Sequence, residues 1–479
     1  MNRKGIPRCI SVVLLGSLLN QACVSTVPYQ RPVLSIPAHW TGAVPVNAQP
    51  IILLDKDWWH EFADPSLQQL IVQVTQHNLD LRVAIDRMRM AQDNLRRTQA
   101  LRYPKLMIGG YPTDPLSSQL AVADSAGRRQ DIDTNLFEFS LNASYIVDLW
   151  GQVSNTITAA RASHQASIFD VRAVAIAVRS VTARIYFDVR QLDEEYMLAQ
   201  QQQELARKRL ELMQLRQAAG RVGAKFVTMA QLDQLDIQDR LTNLSAERTL
   251  AVQSLALLLG RNPEELTLPA LPLRASIRIP TPPEGLPSSL LTRRPDLRAA
   301  EAQLQAAHAQ VEISRAELLP QVSLTAQYGF VTGAVHGLLH SGSTIMGIGP
   351  IINYPLFSGG LLKAQVDASH RYQDVALATY QKAVFNAFAD VEKALLGYQI
   401  ATESSTRWSV ASAAQQAVLQ RTELVQHAGM SSRVEEIVEQ EKLLELELRQ
   451  LHAYRARLES LITLYQALGG GWNFDILAN

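Results

Sequence analysis

The chain of 479 residues has no surplus of charge, since 45 Lys and Arg stand against 45 Asp and Glu. A protein that gripped nucleic acid through phosphate contacts would show a basic excess, so nucleic acid is excluded as a principal partner. Cysteine is nearly absent, with Cys9 and Cys23 the only two. There is no paired-cysteine motif, no Gly-x-Ser-x-Gly elbow and no phosphate-cradling glycine loop, so no catalysis and no cofactor are expected. Apolar runs of about 20 residues are also missing, which excludes a bundle of transmembrane helices. A transmembrane β-barrel stays open, because its strands hide in alternation. Disorder is excluded by a hydrophobic share of 47% and balanced charge.

What is present begins with an export signal. Arg3, Lys4 and Arg8 precede the apolar stretch Ile10 to Leu19, which is too short to span a bilayer. Ala22-Cys23 then resembles a bacterial lipoprotein processing site, with Asn20 where that pattern prefers Leu. The resemblance implies lipidation of Cys23, and Val24 in place of Asp implies retention at the outer membrane. A plain signal peptide with an incidental Cys is the alternative. Removing residues 1–22 takes away Cys9 and three basic residues, leaving 42 basic against 45 acidic. One remaining thiol cannot form an internal disulfide.

Beyond the leader the chain is written twice. Offset by 209 residues, Met213–Gly260 aligns without a gap on Thr422–Gly469, with 11 identities in 48 positions. Gly220 falls on Gly429, Arg240 on Arg449, Arg248 on Arg457 and Gly260 on Gly469. Repeat 1 covers 57–260 and repeat 2 covers 293–469, followed by a tail at 470–479. The Pro-rich stretches 23–56 and 261–292 read as extended segments, the second of them connecting the repeats. Each repeat starts with a helix, about Pro65–Arg102 and about Pro295–Leu318, stopped at a Pro. Two strands follow, at about 104–112 and 137–150 in the first repeat and about 320–330 and 344–357 in the second. Long helical hairpins at 152–260 and 361–468 complete the repeats. The Pro-free stretches Gln152–Ala219 and Leu361–Ala428 would each run about 100 Å as helix, a length that suits a coiled coil. Val434, Ile437, Leu444, Leu448, Leu451, Leu458, Ile462 and Tyr465 form one seam, broken by Glu441 and Arg455.

The strands alternate. Phe139, Leu141, Ala143, Tyr145 and Val147 are separated by Ser140, Asn142, Ser144 and the exception Ile146. Val322, Leu324, Ala326, Tyr328 and Phe330 alternate with Ser323, Thr325 and Gln327. Such a sheet could lay its apolar face on helices, or face lipid as part of a barrel. Four strands cannot close a barrel alone, so a barrel requires several chains. His336 and His340 share an i,i+4 spacing in the loop Val331–Ser343, but without a third ligand they predict a solvated loop and no metal. Asp193-Glu194-Glu195 and Glu435-Glu436 read as charged helix faces.

Two segments carry a family resemblance. Asp57-Trp58-Trp59, Phe62, Asp64-Pro65 and Asn78-Leu79 form one, and Arg293-Arg294-Pro295-Asp296-Leu297 with Leu319-Pro320 forms the other. Over essentially the full mature chain, the sequence resembles the TolC-like outer-membrane factors, in the lipoprotein branch of NodT/OprM type that serves resistance-nodulation-division efflux. The resemblance implies an α+β membrane protein. It implies a homotrimer whose four strands per chain build a 12-stranded outer-membrane β-barrel, continued by a periplasmic α-helical coiled-coil barrel. It also implies a passive conduit for drugs or other small molecules, served by a periplasmic adaptor and an inner-membrane pump, with outer-membrane lipid around it. The adaptor would meet the helical tips at Gly220 and Gly223 and at Gly429, Met430, Ser431 and Ser432. Glu435 takes the position of the gate carboxylate, whereas Val438 stands where a further acidic residue is expected. Two rival readings are a type I secretion channel and a pore-less coiled-coil scaffold lipoprotein.

Overall fold

The computed structural model describes residues 28–34, 57–113, 122–123, 129–130, 136–280, 293–332 and 341–470. Cys23, the leader, His336 and His340 lie outside these residues. In chain order the elements of the first repeat are α1 (Pro65–His77), α2 (Leu79–Gln99), β1 (Lys105–Thr113), β2 (Val122–Ala123), β3 (Arg129–Gln130), β4 (Leu136–Val147), α3 (Gln152–Ala218) and α4 (Ala224–Leu258). A short α5 (Leu273–Ser276) lies in the connector. The second repeat supplies α6 (Pro295–Ala316), β5 (Gln321–Thr332), β6 (Thr344–Asn353), α7 (Leu361–His427) and α8 (Arg433–Ala467). Corresponding hairpin helices match in length, at 67 residues for α3 and α7 and 35 for α4 and α8. Among the described residues no helix is long and apolar enough to cross a membrane.

The chain divides into two units. One takes in residues 89–166 and 301–379 with the N-terminal segment to Pro32; the other takes in 33–88, 167–300 and 380–479. The first holds a four-stranded antiparallel sheet in the order β1-β4-β5-β6, so β4 and β5, one from each repeat, pair at its centre. The second holds the tryptophan segment, where Trp58 stacks on Tyr465 at 5.4 Å and Phe62 meets Phe187 edge-on at 5.2 Å.

Several local features differ from the sequence reading. The first helix is two helices, because Asn78 is extended and its side chain bonds both ways. Its Oδ1 accepts from the Leu81 N–H at 2.9 Å and its Nδ2 donates to the Leu258 carbonyl at 2.9 Å. The strand expected to run to 150 ends at Val147. There Asp148 turns inward to cap α3, accepting from the Val153 and Ser154 N–H groups at 2.9 and 2.8 Å. The strand expected to reach 357 stops at Asn353, just before Pro355, which has no N–H to give a ladder. The two-residue strands β2 and β3 pair with each other and had no sequence signal.

Candidate functional site: a strand wall and two helical tips

The sheet carries its apolar side chains on the surface. Register places Ile108, Leu141, Tyr328 and Met346 in one row across all four strands, with Leu106, Ala143, Ala326 and Ile348 in the next. The first row is 72%, 44%, 51% and 82% exposed. A soluble sheet would bury that face against helices. Here the face that is satisfied within the sheet is the polar one. Glu138 accepts from Ser140 at 2.8 Å and from Gln327 at 2.7 Å, and Ser140 accepts from Asn142 at 2.9 Å. Gly329 pairs with the fully buried Ser140, and a Cβ there would run into strand β4. The strands are 9, 12, 12 and 10 residues long, close to the 9–11 or so that cross a bilayer at a tilt. Within the sheet, β1 and β6 each have a neighbour on one side only.

The two hairpin tips, both in the second unit, use the same backbone solution. Helix α3 ends with Gly220 at φ 66°, its N–H donating to the Gln217 carbonyl at 2.9 Å, while the Arg221 N–H reaches back to Arg216 at 2.8 Å. Helix α7 ends with Gly429 at φ 73°, donating to Gln426 at 2.9 Å, and Met430 reaches back to Val425 at 3.0 Å. These paired bonds satisfy the last helix carbonyls, and the left-handed residue they require is most easily glycine. Gly223 serves differently, since it is extended and starts α4 without a side-chain cap. At the equivalent position Ser432 does cap α8, its Oγ accepting from the Glu435 N–H. Ser431 donates to the Glu435 carboxylate at 2.7 Å, and Glu435 itself is exposed. Met430 is 75% exposed. Glu436 is not part of a solvated face. It is buried and accepts from Arg433 at 3.1 Å and Gln440 at 3.3 Å. Glu439 is held by Lys442 at 2.7 Å and by Gln415 at 2.6 Å.

The acidic triplet is likewise a correction, for Asp193, Glu194 and Glu195 are all buried. Asp193 accepts from Arg248, from the Leu271 N–H at 3.1 Å and from Arg190 at 3.4 Å. Glu194 takes the Arg274 N–H at 2.9 Å and its Nε at 2.5 Å, while Glu195 meets His452 at 2.7 Å and Gln191 at 2.6 Å. With Arg248 donating to the Leu268 carbonyl at 2.9 Å and Arg274 to Gln450 at 2.9 Å, the described part of the Pro-rich connector is clamped to helices α3, α4 and α8. Burial opposes ionisation of Glu195, but the bonds from His452 and Gln191 and the charges of His452 and Arg240 outweigh it. Its carboxyl sits below the usual range. Nearby, Asp64 caps α1 through the Ser66 and Leu67 N–H groups and also accepts from the Tyr186 hydroxyl at 2.7 Å. Tyr186 accepts in turn from Arg190 Nε at 2.9 Å. Burial, then the bond to Asp64, raises the Tyr186 phenol well above its ordinary value. The Asp-Pro start of α1 was visible as a helix signal, but nothing in the sequence marked its link to Tyr186.

The Arg-Arg-Pro-Asp segment joins helix ends. Arg294 donates to Asp296 at 2.7 Å, to Asp390 at 3.1 Å and to the Ala467 carbonyl at the end of α8 at 3.2 Å. A cation at a helix C-terminus is favourably placed. Among the described residues no cluster of three or more His, Cys, Asp or Glu is set to hold a metal.

A wall of strands with an uncovered apolar face, in a chain that also carries duplicated helical hairpins, defines a membrane protein built on a β-sheet. Residues 70–261 and 286–470 match the family described as outer membrane efflux protein, and the chain belongs to that family. It is 31% identical to the pyoverdine export outer membrane protein OpmQ of Pseudomonas aeruginosa over 99% of this chain and 98% of that one. It is 29% identical to the cation efflux system protein CusC of Escherichia coli, over 98% and 99% of the two chains. Among solved structures it resembles the open state of the MtrE outer membrane channel of Neisseria gonorrhoeae. That likeness has a TM-score of 0.80 and 28% identity, covering 94% of this chain and 99% of that one. The protein is an outer-membrane efflux channel component with the duplicated α+β fold, and it is not an enzyme. The pore-less scaffold reading is set aside by the family.

Proposed function

We propose that three copies close their four-stranded sheets into one 12-stranded barrel, which serves as the passive outer conduit of a tripartite pump. The observation that carries this is the sheet itself. Its exposed apolar rows need lipid, and its open edges at β1 and β6 need partner strands. In this reading a periplasmic adaptor docks at the tips around Gly220–Gly223 and Gly429–Ser432, and an inner-membrane resistance-nodulation-division pump supplies the energy. Glu435 beside one tip becomes a ring of three carboxylates under threefold symmetry and favours cations at the constriction. Residues 1–22 are the cleaved leader, and Cys23 carries the lipid anchor. The cargo is a small molecule or ion, in keeping with relatives named for pyoverdine export and cation efflux. Purified protein should migrate as a heat-modifiable trimer and give single-channel currents in a planar bilayer; a non-conducting monomer overturns the proposal.

A further inference from the structure

A shallow cavity of about 280 Å³ lies in the first unit, where the strands meet their helices. Val147, Leu149, Trp150, Leu319 and Leu362 supply apolar lining, with the carboxylates of Asp148 and Glu317 among the polar residues that also line it. The Trp150 indole donates to the Pro320 carbonyl at 2.6 Å, so the ring offers the cavity a carbon face with its polar edge satisfied. Next in sequence to the lining residues Pro355 and Leu362, Leu356, Phe357 and Leu361 are 87%, 92% and 67% exposed. Nothing in the described chain covers them.

The N-terminal segment points to an occupant. Arg31 pairs with Glu301 at 3.1 Å, and Tyr29 lies edge-on to His308 at 6.0 Å. Stepping from Arg31 back to Tyr29 therefore advances along α6 from 301 to 308, toward Ala316 at its end. Ala316 and Leu319 line the cavity. From His308 to Ala316 is about 12 Å of helix at roughly 1.5 Å per residue. The five residues from Pro28 back to Cys23 reach at most about 17 Å when extended. The direction of the described segment and the reach of the five residues before it suffice for Cys23 to meet this cavity.

We infer that the cavity beside Trp150 and Leu319 seats an acyl chain carried by Cys23 of the same protein. The assignment rests on the lipid-anchor reading above. A lipid held there is anchored to the base of its own strand wall as well as to the membrane, which ties the start of the chain to the strand–helix junction.

The test is made in cells expressing the full chain and fed a palmitate analogue bearing a diazirine and a terminal alkyne. After irradiation, delipidation and proteolysis, the crosslink should map to peptides containing Leu149-Trp150 or Leu319. Leu319→Trp, which fills the cavity, should lower that crosslink several-fold while leaving incorporation of the analogue unchanged. Leu362→Trp repeats the test from another element, should the first variant fold poorly. Label retained on the N-terminal peptide, with crosslinks only to other sites or to free lipid, overturns the cavity and leaves lipidation standing. So does a cavity crosslink that persists in Cys23→Ser, since the chain then comes from a free phospholipid. No label on Cys23 at all overturns the anchor itself, and the assignment with it.

Discussion

Four glycines at repeat-related positions offer a graded test of how the hairpins are held. Gly220, Gly429, Gly260 and Gly469 all have positive φ, at 66°, 73°, 65° and 96°. Alanine at such a conformation costs about 1–2 kcal/mol, offset by the roughly 0.4–1 kcal/mol gained from stiffening the unfolded chain. At the two tips that is the whole effect, because a Cβ at Gly220 or Gly429 meets nothing within 4 Å. Gly220→Ala and Gly429→Ala should therefore each destabilise by about 1 kcal/mol. Gly260 is different. A Cβ there would stand 2.7 Å from the carbonyl oxygen of His77, at the break between α1 and α2 that Asn78 ties to Leu258. Backbone cannot swing aside as a side chain does, so an overpacking cost of about 1–3 kcal/mol adds to the strain. Gly260→Ala should lose about 2–4 kcal/mol in total. Gly469, whose Cβ would sit 3.4 Å from Arg293 backbone, should fall between. Thermal melts followed at 222 nm in one detergent rank the four variants. Equal losses at Gly220 and Gly260 would refute the argument, since the two share a φ and differ only in what surrounds them.

Other outcomes follow from the buried polar groups and from the tip. Tyr186→Phe leaves Asp64 and Arg190 each short of a partner in a buried site and should destabilise by about 1–3 kcal/mol, read as a lower denaturant midpoint with an unchanged slope. Glu195 has a lowered folded pKa, so its contribution is complete above the unfolded carboxylate value of 4.5 and is lost as pH falls through the folded value. The melting difference between the parent chain and Glu195→Gln should thus shrink as pH falls into the acid range; a difference that grows there counts against the His452 and Gln191 bonds as its source. Glu435→Gln should lower cation over anion selectivity in planar-bilayer recordings, and an unchanged reversal potential in a salt gradient removes Glu435 from the constriction.

Much of the fold was legible because it is periodic and repeated. The alternation from Phe139 to Val147 and from Val322 to Phe330 marked the central strands, and the offset of 209 marked both tips at once. What escaped were contacts made at long range by residues whose local pattern looks ordinary. The triplet Asp193-Glu194-Glu195 reads as a solvated face until Arg248, Arg274 and His452 arrive from 55, 80 and 257 positions away. The seam breaks at Glu441 and Arg455 have the same origin. Glu441 faces Arg209 at 2.8 Å, and Arg455 pairs with Asp188 at 2.7 Å, so both charges face partners on α3. Asn78 escaped because a helical apolar stripe runs on through it, while its side chain serves two elements at once.

The equal helix lengths in the two repeats set a rule for altering the chain. One residue inserted in α3 turns everything after it by about 100°. An insertion ahead of Asp188 would carry Arg190, Asp193, Glu194 and Glu195 away from the connector and α8 together, while α7 stayed in phase with its own return helix. A seven-residue insertion drifts only about 20°, but it lengthens one arm and leaves its twin unchanged. The hairpins therefore behave as two gauge blocks cut to a common size. Lengthening is tolerable only in whole heptads, applied to the outgoing and returning helices of both repeats at once. Single residues are better added in the loops between the strands of a repeat, across which the offset between repeats changes from 216, where Pro104 matches Pro320, to the 209 of the hairpins.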